Sequence, residues 1–238
     1  MLVKKQKNML GFTLAEVLIT LAIIGVVAAL TLPSLMSYIQ IEQFRTKLKK
    51  EFSALTQVVN SLQSKNSSID TSSTSNLIAE LSSQLTETQA GTFGTLTNLP
   101  DTFSYTCYKV SSGTCGNLVK KPDVNNTPAF KTMDGALFVF RATYPNCDGT
   151  NWHSRINSSE ALPQNNNCAL IDIDLNGDQK PNMLGVDYHF FYLLKKNNAY
   201  YLKPNGVNND TNCNSSLSDN YSNSLHCTHR MLLDMPMP

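Results

Sequence analysis

The chain is poor in charged residues, and neither sign of charge predominates. Charged residues make up 16% of its 238 residues, and 19 lysines and arginines against 18 aspartates and glutamates leave a formal net charge of +1. A dedicated nucleic-acid binder usually carries a clear basic surplus, so no nucleic-acid partner is expected. The sequence also contains no G-x-S-x-G, P-loop or H-E-x-x-H motif. Because these motifs mark common hydrolases, nucleotide-binding proteins and zinc proteases, we expect no catalytic activity.

Cysteine is absent from the first 106 residues, and no two cysteines form a C-x-x-C pair. An even number of cysteines fits disulfides in an oxidising compartment; the six are Cys107, Cys115, Cys147, Cys168, Cys213 and Cys227. We prefer the neighbour-to-neighbour pairing (107 with 115, 147 with 168, 213 with 227) because each loop that it closes is short. The alternative is a metal site made by Cys213, His226, Cys227 and His229, whose ligand types suit zinc but whose spacing is not that of a zinc finger.

A long hydrophobic run follows a basic start at the N-terminus. The leader MLVKKQKNML runs into Gly11 and Phe12, and the apolar run extends from Val17 to Leu32. Residues 12–32 are close to the roughly 20 that a helix needs to span a bilayer. Lysines before the run predict a cytoplasmic N-terminus and place the rest of the chain on the far side. A signal peptide is cut after its apolar run, whereas a cut at Gly11 would leave the run on the mature protein.

One carboxylate, that of Glu16, lies near the start of this apolar run. A carboxylate costs roughly 2.5 to 3.5 kcal/mol at the centre of a membrane helix, less near its end, and normally needs a partner. Glu16 could simply extend to the lipid headgroups. A cut before Phe12 would instead create an amine one helical turn away. That amine, from the same or a neighbouring chain, could neutralise Glu16.

The stretch GFTLAEVLITLAIIGVVAALTLP, residues 11–33, resembles the N-terminal signature of type IV prepilins and of the pseudopilins of type II secretion. The shared features are the glycine, an aromatic first mature residue, Thr13-Leu14 and a glutamate at the fifth mature position. Pro33 falls where this family commonly has a helix-bending proline. The resemblance covers about a tenth of the chain, and it implies a structural subunit rather than a catalyst.

The resemblance also implies a series of processing and assembly steps. A prepilin peptidase would cut after Gly11 and methylate the amine of Phe12. The subunit would wait in the bacterial inner membrane with its head outside the cytoplasm, and an assembly platform would then move it into an extracellular pilus or a periplasmic pseudopilus. Its partners there would be other pilin or pseudopilin subunits, with Glu16 on the amine of a neighbour setting the register.

The resemblance does not choose between a pilus and a secretion pseudopilus. An alternative function is that of a minor pilin at the filament tip, whose disulfide-containing head binds surfaces, DNA or a secreted substrate. A membrane-tethered enzyme is a remote third. Because some tip subunits lack the glutamate that Glu16 matches, we expect this chain to lie along the shaft or below the tip.

Hydrophobic patterning divides the chain into four parts: a cleaved leader at 1–11, a membrane and filament-core helix at 12–33, an amphipathic helix at 34–62 and a head at 63–238. In the third part apolar residues recur at spacings of three and four, which predicts one helix face packed on the head. These residues are Ile41, Phe44, Leu48, Phe52, Leu55, Val59 and Leu62. A polar loop at 64–76 and a short helix at about 77–85 are predicted to follow.

Five strands are predicted within the head, at residues 103–110, 136–142, 169–173, 188–195 and 199–202. Lys195–Tyr200 has the pattern of a tight hairpin between the last two. Consecutive strands with short connections predict an antiparallel sheet. The predicted fold class is therefore α+β, with a long N-terminal helix packed on a head that contains this sheet.

The stretch IDIDLNGDQKPNMLGVD, residues 171–187, places oxygen ligands at alternate positions. Its members are Asp172, Asp174, Asn176 and Asp178, with Gly177 at the turn, and they match the first positions of an EF-hand-like calcium loop. Met183 stands where the bidentate glutamate belongs, so a calcium site would need Asp187 or backbone carbonyls. The alternative is a strand that ends in an Asn-Gly turn and caps its own backbone.

Overall fold

The structure is a computed structural model that describes residues 13–65, 68–85, 87–100, 103–107, 125–149, 166–205 and 227–234. Gly11, Phe12, Cys115 and Cys213 lie outside these residues, as does the side chain of Cys107. The chain divides into two compact units, Met1–Gln43 and Phe44–Pro238.

Helix α1 runs over Leu14–Lys65. Its first part includes Leu14–Leu32, 19 residues with a mean hydropathy of 2.4, which is long and apolar enough to cross a membrane. The helix continues through Pro33, so the backbone does not unwind at that residue. The bend expected at Pro33 stays a prediction.

The later part of α1 packs on the head as its periodicity predicts. Leu48, Leu55, Val59 and Leu62 are buried in the main core, and Phe44 and Phe52 pack against that core. The ring of Phe52 stacks on Phe191 with 5.5 Å between centroids. Burying a leucine or phenylalanine stabilises a fold by about 1.5–3 kcal/mol, so this face holds the helix on the head.

Three shorter helices follow among the residues that the structure describes: α2 (Thr74–Ser82), α3 (Phe93–Leu96) and α4 (Cys227–Leu232). The helix predicted at about 77–85 corresponds to α2, which begins three residues earlier than expected. Its N-cap is Ser73, whose hydroxyl accepts a hydrogen bond from the backbone N–H of Asn76 at 3.1 Å. Such a cap satisfies a free donor of the first turn, and it recruits residues that the polar pattern had assigned to a loop.

The sheet has eight strands within the described residues. They are β1 (Glu87–Thr92), β2 (Thr106–Cys107), β3 (Pro128–Thr132), β4 (Leu137–Thr143), β5 (Asn167–Asp174), β6 (Met183–Leu184), β7 (Tyr188–Lys196) and β8 (Ala199–Pro204). The order is β1-β3-β4-β5-β7-β6-β2, and β8 also pairs with β7. The α+β class is confirmed.

The sheet is mostly antiparallel, as predicted, and two of the pairings between the described strands are parallel. The parallel pairs are β2 with β6 and β6 with β7, and the others are antiparallel. The two-residue strand β6 lies in the loop just before β7, where the path of the loop rather than a hairpin sets its direction. The predicted β7–β8 hairpin is confirmed, and its turn residues Asn197 and Asn198 have φ values of 50° and 63°, which asparagine tolerates.

Both faces of the central strands are buried. Ile171, Ile173, Phe191 and Leu193 point into the core shared with α1. A second cluster contains Leu137, Val139, Tyr105, Tyr188 and Phe190. The fold therefore surrounds the acidic end of β5 with packed aromatic side chains.

A disulfide joins Cys147 to Cys168, the middle pair of the expected neighbour-to-neighbour set. It ties the loop after β4 to the start of β5. Cys227, in α4, is also disulfide-bonded, and none of the described cysteines is free. A thiolate is the form of cysteine that binds zinc, so the zinc alternative at Cys227 is wrong.

Candidate functional site

The N-terminal part of α1 exposes apolar side chains around its circumference. Within Leu14–Leu32 none of the segment is buried inside the chain; Leu14 is 78% exposed and Leu30 76%. A helix that is hydrophobic all round belongs in a membrane or in a core of other helices. This segment is therefore suited to a lipid bilayer or to a bundle of like helices.

Glu16 closes a capping box with Thr13 at the start of this helix. The Glu16 carboxylate atom Oε2 accepts hydrogen bonds from the backbone N–H and from the hydroxyl of Thr13, each at 2.8 Å. In return the Glu16 N–H donates to Thr13 Oγ1 at 3.3 Å. This reciprocal arrangement satisfies free donors of the first helical turn. The T-x-x-E spacing of TLAE is the sequence signal for it, which identifies Thr13 as a site residue beyond those predicted.

The acidic loop after β5 brings together three of the five predicted ligands. The carboxyl group of Asp174 accepts hydrogen bonds from the hydroxyl of Tyr105 and from the backbone N–H groups of Asn176 and Gly177, the latter two at 3.2 and 2.9 Å. Asp187 lies close enough to raise the pKa of Asp174, and the side chain of Asn176 lies close enough to Asp187 to act against the rise in its pKa. Asp174, Asn176 and Asp187 thus form one cluster.

The other two predicted ligands point to different partners. Asp172 pairs with the Arg141 guanidinium and accepts the Tyr188 hydroxyl at 2.8 Å. Asp178 accepts a hydrogen bond from the Asn98 amide at 3.2 Å. Among the residues that the structure describes, no group of three or more His, Cys, Asp or Glu side chains is placed to hold a metal ion. The five residues therefore do not converge as a set.

The carboxyl groups of Asp174 and Asp187 both accept hydrogen bonds from protein donors. Asp187 accepts the backbone N–H groups of Asn182 and Met183 at 2.7 and 2.5 Å. Burial raises the pKa of Asp187 to about 7, and burial together with Asp187 raises the pKa of Asp174 well above its usual range. The side-chain oxygens of Asn176 and Asn182 are buried without a hydrogen-bond partner. Two carboxylates and two amide oxygens are ligand types that calcium accepts, so calcium binding here stays a prediction.

Calcium should raise the melting temperature of the full-length protein in detergent if this cluster binds it. With a dissociation constant on the order of 0.1 to 1 mM, a tenfold excess of calcium adds about 1.4 kcal/mol to the free energy of unfolding, which is a few degrees in melting temperature for a chain of this size. Asp174→Asn should remove the shift, and Asp178→Asn, outside the cluster, should keep it. If the wild type has the same melting temperature in calcium and in chelator, the loop is a capped turn that binds no calcium.

Comparison with known proteins identifies the N-terminal segment. Residues 6–32 match the prokaryotic N-terminal methylation motif, the signature of type IV prepilins and pseudopilins. A search of curated proteins found no match, and a search of solved structures found none either. The motif supports a type IV pilin-like or pseudopilin-like protein, and with the apolar helix it suits a membrane-anchored structural protein rather than an enzyme. The resemblance drawn from residues 11–33 is thereby confirmed.

Proposed function

We propose that this chain is a structural subunit of a type IV pilus or of a type II secretion pseudopilus. The observation that carries the proposal is the methylation motif at residues 6–32, which includes the apolar helical segment Leu14–Leu32 with no buried residues. A leader peptidase that cuts ahead of this helix releases a subunit that keeps its membrane anchor. The anchor then becomes the surface through which subunits pack.

The two environments of the helix explain its composition. In the inner membrane, the apolar side chains of Leu14–Leu32 contact lipid, and the head faces away from the cytoplasm. In the filament, the same side chains contact the helices of neighbouring subunits, so leaving the bilayer exchanges one apolar surrounding for another. Small residues let helices approach closely, and this segment carries Ala22, Gly25, Ala28 and Ala29.

Glu16 has two partners at different stages in this proposal. Before assembly, its carboxylate accepts both polar hydrogens of Thr13, which lowers the cost of placing it at the edge of the bilayer. During assembly it pairs with the methylated amine of Phe12 on a neighbouring subunit, and the pair fixes the axial position of the incoming chain. An ion pair in apolar surroundings is worth most when both charges are satisfied.

Mass spectrometry of the membrane-extracted protein tests the proposal. The mature chain should begin at Phe12 and carry one added methyl group, and cells without prepilin peptidase should yield only the full-length chain. Gly11→Leu should block the cut, because a large side chain crowds the residue before the scissile bond, whereas Met9→Leu should not. Full-length protein alone, in cells with an active peptidase, would refute the assignment.

A further inference from the structure

The exposed apolar surface of α1 does not end at Leu32. Four large apolar or aromatic side chains follow within the next two helical turns, and they are Leu35 (53% exposed), Met36 (68%), Tyr38 (63%) and Ile39 (45%). No charged residue occurs between Glu16 and Glu42. The helix is continuous over this stretch, so its uncharged surface is about 37 Å long at 1.5 Å per residue.

This uncharged surface is longer than the hydrocarbon core of a bilayer, which is about 30 Å thick. A span that coincides with Leu14–Leu32 would place Glu16 about 3 Å inside one end of the core and would leave Leu35 and Met36 outside the other end. A span displaced along the helix toward residue 38 removes the carboxylate from the core, where it is costly. The displacement also brings both large apolar side chains into lipid, and of the large apolar residues only Leu14 leaves it.

Glu16 and Tyr38 have the spacing and the chemistry of two boundary residues. They are about 33 Å apart along the helix axis, close to the thickness of the hydrocarbon core. Glu16 belongs to a polar group at one end, because its carboxylate accepts two hydrogen bonds from Thr13, each at 2.8 Å. At the other end Tyr38 carries an aromatic ring with a hydroxyl group. Tyrosine is enriched at membrane interfaces because its ring is apolar while its hydroxyl contacts water and headgroups.

We propose that Glu16 and Tyr38 mark the two headgroup boundaries of this chain in the membrane, with residues 17–37 in the hydrocarbon core and the Tyr38 hydroxyl among the lipid headgroups. Pro33 then lies inside the bilayer, where the helix continues through it. The serines between Pro33 and Tyr38 also enter the core, and serine is a common residue of membrane helices. The inference rests on the membrane anchoring in the proposed function but not on filament assembly.

Tryptophan fluorescence of the full-length chain in phospholipid vesicles locates the middle of the span. The chain has one tryptophan, Trp152, so Trp152→Phe gives a background in which a new tryptophan reports alone. The midpoint of residues 17–37 is Val27, whereas that of Leu14–Leu32 is Ile23, about 6 Å away along the helix. In vesicles of phosphatidylcholine and phosphatidylglycerol, lipids brominated near the end of the acyl chain should therefore quench Val27→Trp more than Ile23→Trp. Lipids brominated close to the headgroup should show the reverse order, and the opposite ranking or an equal depth of the two would overturn the proposal.

Moving the tyrosine tests whether Tyr38 sets the depth of the helix. Leu35→Tyr combined with Tyr38→Ala places the ring and hydroxyl about one turn earlier, so the midpoint of the span should move to about residue 25. The difference in depth between the Val27→Trp and Ile23→Trp reporters should then disappear. Gln40→Ala, at the same end of the helix, should leave the difference unchanged. If the double variant keeps the full difference, Tyr38 is not a boundary residue.

The same measurement at two protein-to-lipid ratios identifies what covers the segment. Contact with lipid predicts that quenching by brominated lipid stays the same when the protein is diluted in lipid. Quenching that weakens as the protein is concentrated would show that helices of other copies cover the segment, and it would overturn lipid as the partner. These vesicles contain neither peptidase nor other kinds of subunit, so a failure of cleavage or of filament assembly cannot produce any of these results.

Discussion

Replacing Glu16 with alanine should leave the chain inserted and cleaved but sharply lower the yield of filaments. The apolar run becomes more hydrophobic without the carboxylate, so insertion becomes easier, and the peptidase site at Gly11 is unchanged. What is lost is the partner of the neighbouring amine. A hydrogen bond to a charged group contributes about 1.5–3 kcal/mol, and every 1.4 kcal/mol is about tenfold in an equilibrium, so yield should fall at least about tenfold.

Glu16→Gln distinguishes the charge from the capping box. Glutamine at this position can still accept from Thr13 and preserve the box, but it cannot neutralise an amine. If the charge sets assembly, Glu16→Gln should fail as alanine does, and Thr13→Ala, which removes the capping hydroxyl alone, should assemble better than either. The measurement is the sheared filament fraction relative to total processed protein. A wild-type yield of filaments from Glu16→Ala would mean that the Glu16 side chain only extends to the lipid headgroups and has no role in assembly.

The strongly periodic elements of this fold could be predicted from sequence. The strands β5 and β7 appear within two residues of their expected bounds, and α1 ends three residues beyond the predicted residue 62, because many buried side chains repeat at one spacing. Strand β1 was missed because its sequence, ETQAGT, is polar and contains glycine, and β3 because it begins with Pro128. Pairing with neighbouring strands, rather than local preference, places both in the sheet.

The acidic loop shows where sequence reasoning about the site fails. The alternate spacing of oxygen ligands correctly groups Asp174 with Asn176, and Asp187 lies in the same cluster. The Asp172 carboxylate instead pairs with the Arg141 guanidinium. Arg141 is 31 residues away along the chain, and it lies at an irregularity in the β4–β5 register, between Phe140 and Ala142. A bulge of this kind redirects a side chain, and nothing in the sequence indicates where it occurs.

Replacing Asp172 with alanine should destabilise the head more than removal of a surface carboxylate. Asp172 is 1% exposed, and it serves both the Arg141 guanidinium and the Tyr188 hydroxyl. Burial raises the pKa of the Asp172 carboxyl, while Arg141 and Tyr188 lower it, so its charge depends on these two partners. Breaking a buried pair by removing one member costs about 3–5 kcal/mol, which corresponds to roughly 6–20 °C in melting temperature.

Arg141→Ala should lower the free energy of unfolding by a similar amount, because it leaves the Asp172 carboxylate buried with the Tyr188 hydroxyl as its donor. The substitution also removes the guanidinium that lies over the Phe190 ring, 5.7 Å from the ring centroid. Tyr188→Phe should cost only about 1 kcal/mol, the usual worth of one hydrogen bond. Thermal or urea unfolding of the full-length protein in one detergent compares the three variants, and Asp148→Asn supplies the surface control.

Replacing the whole group with apolar residues should restore most of the lost stability. Arg141→Met, Asp172→Leu and Tyr188→Phe together remove the buried charges and the hydroxyl that they satisfy, and such replacements are often neutral or stabilising. We therefore expect the triple variant to melt closer to the wild type than Asp172→Ala does. If it melts as low as Asp172→Ala, then packing around Asp172, and not the cost of an unpaired buried charge, controls the stability of this part of the sheet.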